Sequence, residues 1–151
     1  MQSDDQVVVG SNRGSINVWD LNTLKSKFYN KLVGYCLKGH TVEICSFYSD
    51  KRNSNIIASG SFDTNAKLWD LRAKNCLYTL KNHNKRVSCV CISPDSRIFL
   101  SGSEDGSVFS FDIKMFKPIF QYEIGSPILS MDCNNTGLVS IGSLDRTARI
   151  F

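Results

Sequence analysis

Short stretches of alternating or continuously apolar residues recur along the chain, each closed by Asp, Asn, Gly or Ser. They read Ile44–Tyr48, Ile56–Gly60, Asn65–Asp70 and Cys76–Leu80, then Val87–Ile92, Ile98–Gly102, Ser107–Asp112 and Pro118–Tyr122. All are rich in β-branched, aromatic or small residues, the composition of strands rather than helices. Tight-turn chemistry separates them, as at Pro94-Asp95 and Asn134-Asn135-Thr136-Gly137. No window carries a helical stripe. Before the two complete sets come candidate strands at Gln6–Ser11, Ser15–Asp20 and Lys27–Leu37. After them come Ile128–Cys133, Leu138–Gly142 and Thr147–Phe151. The expectation is an all-β chain of antiparallel sheets with three, four, four and three strands.

The sets are copies of one another. SNRGSINVWDL (11–21), SFDTNAKLWDL (61–71) and SEDGSVFSFDI (103–113) align, and SLDRTARIF (143–151) is a fourth, shorter copy. The Asp after the aromatic recurs at Asp20, Asp70 and Asp112, at intervals of 50 and 42 residues, and Phe151 follows Phe111 by 40. A Gly-His pair precedes the second copy at Gly39-His40, survives as Asn82-His83 and is gone near Gly125. The extra length of the first interval lies in 22–37, where an outer-loop insertion is expected.

Composition narrows the class. With 151 residues, 42% hydrophobic and 21% charged, the chain has globular usage and no apolar run of membrane-spanning length. Its polar start, with Asp4 and Asp5, is unlike a signal peptide, so cytosol or nucleus is the default compartment. The cysteines at 36, 45, 76, 89, 91 and 133 form no CxxC pair, and reduced, mostly packed thiols are expected, with no metal and no cofactor. The net charge of +4 is uneven. Residues 21–100 hold 13 basic and 5 acidic side chains, against 5 and 9 elsewhere. A basic middle favours an acidic partner. Aromatics and basics are not interleaved as nucleic-acid binding requires, so a nucleic-acid partner is not expected.

His40, Ser59 and Asp63 supply a base, a nucleophile and an orienting acid, the parts of a serine-hydrolase triad. The G-x-S-x-G elbow that would expose such a serine is absent, as is the G-x-x-x-x-G-K-[ST] phosphate loop. The same spacing also recurs as His83, Ser101, Asp105 and Phe111, and Trp69 belongs to the first set as Phe111 does to the second. Catalytic sets do not recur every 40 residues, whereas structural ones in a repeat do. Neither an enzyme nor a small-molecule substrate is expected.

Through LKGH (37–40), ASGSFDTNAKLWD (58–70) and SGSEDGSVFSFD (101–112) the chain resembles the WD-repeat (WD40) family of β-propellers. The resemblance implies blades at about 1–37, 38–80, 81–122 and 123–151, an arc of a ring that in this family is most often seven-bladed. It also implies a buried hydrogen-bond network: the Trp69 indole on Ser59, Ser59 on His40 and His40 on Asp63. The second network, His83, Ser101 and Asp105, has Phe111 in place of the tryptophan donor. The last unit has Ile141 in the serine position, and the first has Val9 and Arg13 where Ser and Asp belong. By motif position, a partner-binding rim comprises Asn12, Phe62, Glu104 and Leu144 before the turn, and Glu43, Arg86 and Pro127 entering the inner strands. Phe62 and Arg86 are expected to make the contact.

The stretch SGSFDTNAKLWDLRAKNC (59–76) is similar to the WD-repeat regulatory subunits of katanin, the microtubule-severing complex, as are VGSNRGSINVWDL (9–21) and HTVEICSF (40–47). That likeness implies a non-enzymatic subunit that targets a severing ATPase to microtubules, centrosomes or spindle poles. The ATPase itself would be bound only indirectly, through a C-terminal helical region with no counterpart here. A WD-repeat adaptor of another complex, such as a ubiquitin-ligase receptor, a chromatin adaptor or a ciliary assembly protein, is the alternative.

Overall fold

The computed structural model describes residues 6–24, 33–50, 52–53 and 55–151. Its first sheet holds β1 (Gln6–Gly10), β2 (Ser15–Asp20) and β3 (Val33–Lys38). The second holds β4 (Ile44–Ser49), β5 (Ile56–Ser61), β6 (Ala66–Asp70) and β7 (Asn75–Leu80). The third holds β8 (Val87–Ile92), β9 (Ile98–Ser103), β10 (Ser107–Asp112) and β11 (Lys117–Glu123). The last holds β12 (Ile128–Cys133), β13 (Val139–Ser143) and β14 (Ala148–Ile150). In every sheet neighbours in sequence are neighbours in space, and all pairs are antiparallel. The fold is four consecutive blades of an incomplete β-propeller.

Strand boundaries fall within a residue or two of those read from the sequence. One element was not expected: a short 3-10 turn at Leu21–Leu24 follows β2. The anticipated start of the third strand at Lys27, and most of the anticipated insertion, lie outside the described residues.

Side chains alternate across each strand, so a blade has two faces. In the second blade, Ile57, Trp69 and Leu71 pack toward the first with Ile16, Val18 and Leu37. Its Ala58, Ala66, Leu68 and Leu80 pack toward the third with Val87, Phe99 and Phe111. The third turns Leu100, Val108 and Cys91 onto Ile128 and Ile141 of the fourth. There are thus three cores, each lying between blades rather than within one.

Burial follows from this. The middle strands of the two central blades are buried almost end to end, as in β9 and β10. Those of the first and last alternate, with β2 and β13 covered on one side only. Val7 and Trp19, cross-strand partners, lie on the bare face of the first blade, and Leu138 and Ile150 on the last, where exposed apolar faces were expected. Outer strand β11 is exposed along its length, Ile119, Phe120 and Tyr122 included, because the blade beside it has three strands.

The inner strands tie blade to blade: the Val90 amide donates to Ser46 Oγ at 3.2 Å, and the Ser88 hydroxyl to the Ile128 carbonyl at 2.5 Å. Gly60 lets this seam close, since a Cβ there would stand 2.7 Å from Val87 Cγ1 and 2.9 Å from its carbonyl oxygen. Gly60→Ala is therefore expected to force the second and third blades apart and to cost about 1–3 kcal/mol, measurable as a lower urea midpoint. An unchanged midpoint would show that the seam has slack.

Candidate functional site: a buried relay and the rim above it

The turns between the first two motif strands of each blade and the connections that enter the next blade lie at one end of the molecule. Here the LKGH and SGSFD motifs of the second blade meet. The Trp69 indole N–H donates to Ser59 Oγ at 2.8 Å, and Ser59 Oγ lies 2.7 Å from His40 Nε2. His40 Nδ1 lies 2.9 Å from Asp63 Oδ2. A carboxylate only accepts, so Nδ1 carries the proton, Nε2 accepts from the Ser59 hydroxyl, and Ser59 accepts from Trp69. Gly39 is part of the same fit, because a Cβ there would lie 2.8 Å from the Trp69 ring.

The relay requires a neutral imidazole. Burial pushes the His40 pKa below its ordinary value despite the pull of Asp63, and the charge of Lys67 pushes the same way. Burial alone would raise Asp63, but the Thr41 amide, the His40 ring and the Asn65 amide outweigh it and hold the carboxyl below its usual range. Lys67 is buried too. Its Nζ donates to Thr79 Oγ1 at 2.7 Å and lies 6.0 Å from the Trp69 ring centre.

The third blade repeats the relay with a substitution. Ser101 Oγ lies 2.8 Å from His83 Nε2, but Nδ1 meets Ser107 Oγ at 3.0 Å, and the Ser107 hydroxyl donates to Asp105 Oδ1 at 2.5 Å. Asp105 itself stands 3.4 Å from Nδ1. A serine thus enters between histidine and acid, a member the motif comparison does not supply. Phe111 holds the register position of Trp69, facing Phe99 as Trp69 faces Ile57. It packs on Tyr78 at 5.7 Å, and a different ring, Phe109, meets His83 edge-on at 4.8 Å. In the fourth blade, Ile141 fills the serine position as part of an apolar core.

The arrangement has triad connectivity without triad access. Ser59 and Ser101 are both fully buried, and the Ser59 oxygen already receives the indole proton. A nucleophile must reach its substrate. Among the described residues no group of three or more His, Cys, Asp or Glu is placed to hold a metal ion, and no helix is long and apolar enough to cross a membrane. All six thiols are free. Cys89, Cys91 and Cys133 are buried, and burial pushes Cys89 up to about 11. Cys76 is half-buried, so four of the six are packed as expected, and Cys36 and Cys45 are exposed.

The rim residues come together in pairs. The amides of Phe62, Glu104 and Leu144 donate to the carbonyls of Glu43, Arg86 and Pro127, at 3.0, 3.1 and 2.9 Å. The second serine of each SGS-like triplet braces the same carbonyls: Ser61 on Glu43 at 2.6 Å, Ser103 on Arg86 at 2.8 Å and Ser143 on Pro127 at 3.2 Å. These serines were missed as site residues although their recurrence was visible. Phe62 and Leu144 are 43% and 59% exposed, and Asn12 and Glu43 are exposed as well. Arg86 is engaged within the molecule. Its guanidinium lies 4.7 Å from the Phe62 ring centre and pairs with Glu104 at 2.5 Å. It acts as a strut that covers one side of Phe62.

Two outcomes follow from the relays. Ser59→Ala orphans both the Trp69 N–H and His40 Nε2, whereas Ser101→Ala orphans His83 Nε2 alone. At about 1–3 kcal/mol per unpaired buried group, the first variant should be the less stable by about 1 kcal/mol or more in urea denaturation. Second, both histidines and both relay aspartates have pKa values lowered by folding, so the unfolded chain binds more protons in acid and stability falls with pH. The histidine part of the loss begins below the ordinary value of 6.5 and the aspartate part below 3.8. A thermal midpoint that stays constant from pH 7.5 to 5 would contradict the histidine part.

Comparison with known proteins agrees with the geometry. The family described as WD domain, G-beta repeat matches residues 31–70 and 74–112. The chain is 34% identical over 113 residues to a guanine nucleotide-binding protein subunit beta of Solanum tuberosum, covering 74% of this chain and 29% of that one. It is 32% identical over 117 residues to the methylosome protein WDR77 of Xenopus laevis, covering 77% and 34%. It therefore spans about a third of the length of the relatives it matches. With two family repeats matched over β3–β6 and β7–β10, and a Trp–Ser–His–Asp relay inside the first of them, the chain belongs to the WD-repeat family.

Proposed function

We propose that this chain is a non-catalytic interaction scaffold whose top rim receives a protein partner. The observation that carries the reading is the division of labour at that end of the blades. The chemistry that resembles catalysis is buried and internally satisfied, while turns with fixed backbones hold Phe62 and Leu144 out to solvent. Apolar side chains held rigidly at a surface lose little entropy on binding, which makes them good anchors. The similar proteins fit this class, since one is named as a subunit and another as a methylosome protein.

The test is capture of partners from an extract by the chain bearing Phe62→Ala and Leu144→Ala together. Reduced capture by the double variant, with folding intact by circular dichroism, is the expected result. No specific capture by any form, or labelling of Ser59 by a fluorophosphonate probe, would overturn the reading.

A finer assignment rests on the 59–76 segment and the basic middle of the chain: a katanin-type subunit that targets a severing ATPase, cytoplasmic and located on microtubules, centrosomes or spindle poles. Tubulin surfaces are acidic, so co-sedimentation with stabilised microtubules is expected at low salt and should weaken as salt rises. Failure to sediment at low salt would move the assignment to an adaptor of another complex.

A further inference from the structure

At the end of the blades opposite the rim, the turns joining β6 to β7 and β10 to β11 have the same length and the same closure. Asp70 Oδ1 accepts from the Arg72 and Ala73 amides at 2.8 and 2.9 Å, and Asp112 Oδ1 from the Lys114 and Met115 amides, both at 2.8 Å. Lys74 and Phe116 then take left-handed backbone angles, with φ of 56° and 51°. That conformation is an outlier for a bulky side chain. Phe116 is held in it by the Asp112 carbonyl, which accepts from its amide at 2.9 Å, and by stacking on Tyr78 of the second blade at 5.5 Å. The third-blade turn is therefore fixed in its backbone and braced against its neighbour.

The two turns differ in their side chains. Where the second blade has Ala73, Asn75 and Leu77, the third has Met115, Lys117 and Ile119, in the same register. Three large apolar side chains are thus exposed within five residues, Met115 at 63%, Phe116 at 41% and Ile119 at 50%, with Lys114 and Lys117 among them. This exposure does not come from an end of the chain. The second-blade turn has the four-stranded third blade beside it, and its residues 72–75 and Leu77 are exposed all the same. Among the described residues neither lysine has a carboxylate within ion-pair reach. Asp112, the cross-strand partner of Lys117, is taken up by the turn amides, and Arg97, whose carbonyl accepts from the Ile113 amide, is matched by Asp95. The acids outside the described residues, Asp4 and Asp5, precede β1 of the first blade, and this turn lies two blades away. The corner carries net positive charge around an apolar patch.

We propose that this corner docks an acidic segment of a protein partner, with Met115 and Ile119 receiving a large apolar side chain and Lys114 and Lys117 the carboxylates on either side of it. A fixed turn loses little entropy when its side chains are covered, and methionine adapts to an irregular apolar surface. Pro118 and the bulge in the β10–β11 register interrupt the free edge of β11, so the contact is made by side chains and not by an added strand. Membrane binding scales with apolar area, and three side chains offer little, so a peptide is favoured. The contact goes beyond the rim reading and does not depend on it, since it lies at the other end of the blades.

The test uses the full chain labelled at its three methionine methyl groups, of which Met131 is half-buried against the core between the third and fourth blades. On titration with the peptide Gly-Glu-Leu-Phe-Glu-Gly, the Met115 methyl resonance should shift and saturate while that of Met131 stays in place, and the binding should weaken with salt. A peptide with glutamine for both glutamates should bind about five-fold more weakly or worse. Met115→Ala and Lys117→Asn each restore the residue of the second blade, so the turn admits them. Measured by anisotropy with the fluorescein-labelled peptide, the first should lower affinity about ten-fold and the second about three-fold. No shift at Met115, equal shifts at Met115 and Met131, equal binding by wild type and Met115→Ala, or binding to phosphatidylserine-containing vesicles but to no peptide would each overturn the proposal. Failure of the peptide to bind while extract capture still depends on Phe62 and Leu144 overturns the corner alone. Binding of the peptide as expected while no form captures a partner supports the corner and overturns the rim reading instead.

Discussion

A four-stranded blade of this chain cannot cover itself. Its two faces are both apolar, so each must be laid against another blade, and every core in the molecule lies at such a junction. The stability of one blade is consequently a property of its neighbours, as in other repeat architectures. The inner strands carry the close approach that this requires, with glycine at Gly60 and Gly102 where Val87, Cys89 and Ile128 come within 3 Å of the place a Cβ would take. The bare faces of the first and last blades are the same constraint seen where no further sheet is present.

The hydrogen-bond relay is subordinate to that packing. The Trp69 ring belongs to the core between the first and second blades, and its indole N–H needs an acceptor because the ring is buried there. Ser59 supplies one, His40 completes the serine, and Asp63 fixes the tautomer of His40. Read outward from the core, each group exists to satisfy the one before it. The third blade shows how much of this is negotiable. With Phe111 in the ring position no indole needs an acceptor, and Ser107 relays the histidine proton to Asp105. Connectivity identical to a hydrolase triad arises here from polar satisfaction alone.

Much of this was legible in the residues, for identifiable reasons. Strand limits were readable because turn residues punctuate each copy and the copies check one another: Val87–Ile92, Ser107–Asp112 and Ile128–Cys133 fall where the pattern puts them. The second-blade relay was readable because all its members stand in the motif. What stayed hidden depended on side-chain direction. Ser107 lies beside turn glycine Gly106, and nothing in its type separates a strand residue from a relay member. Arg86 reads from its motif position as a partner contact, yet it spans from Phe62 to Glu104, residues 24 positions before it and 18 after, and only the approach of two blades shows that. The bracing serines 61, 103 and 143 recur plainly, but their target is a backbone carbonyl, which no residue type announces.

The blades also differ in what they leave free. The second, packed on both faces, needs every member of its relay, and its turn aspartate is bonded to His40, Thr41 and Asn65. The fourth has no histidine, so Asp145 serves only its own turn, held at about 2 by the Thr147 hydroxyl and Arg149, and Leu144 beside it is exposed. The first closes its turn with Ser11, which stands in for the turn carboxylate. The residue before the turn acid, Phe62 or Leu144, faces solvent whether the relay below it is complete or absent. In a repeat whose core is supplied by neighbouring sheets, degeneration of the motif need not be loss. The turn keeps its closed backbone whether an aspartate or Ser11 accepts its amides.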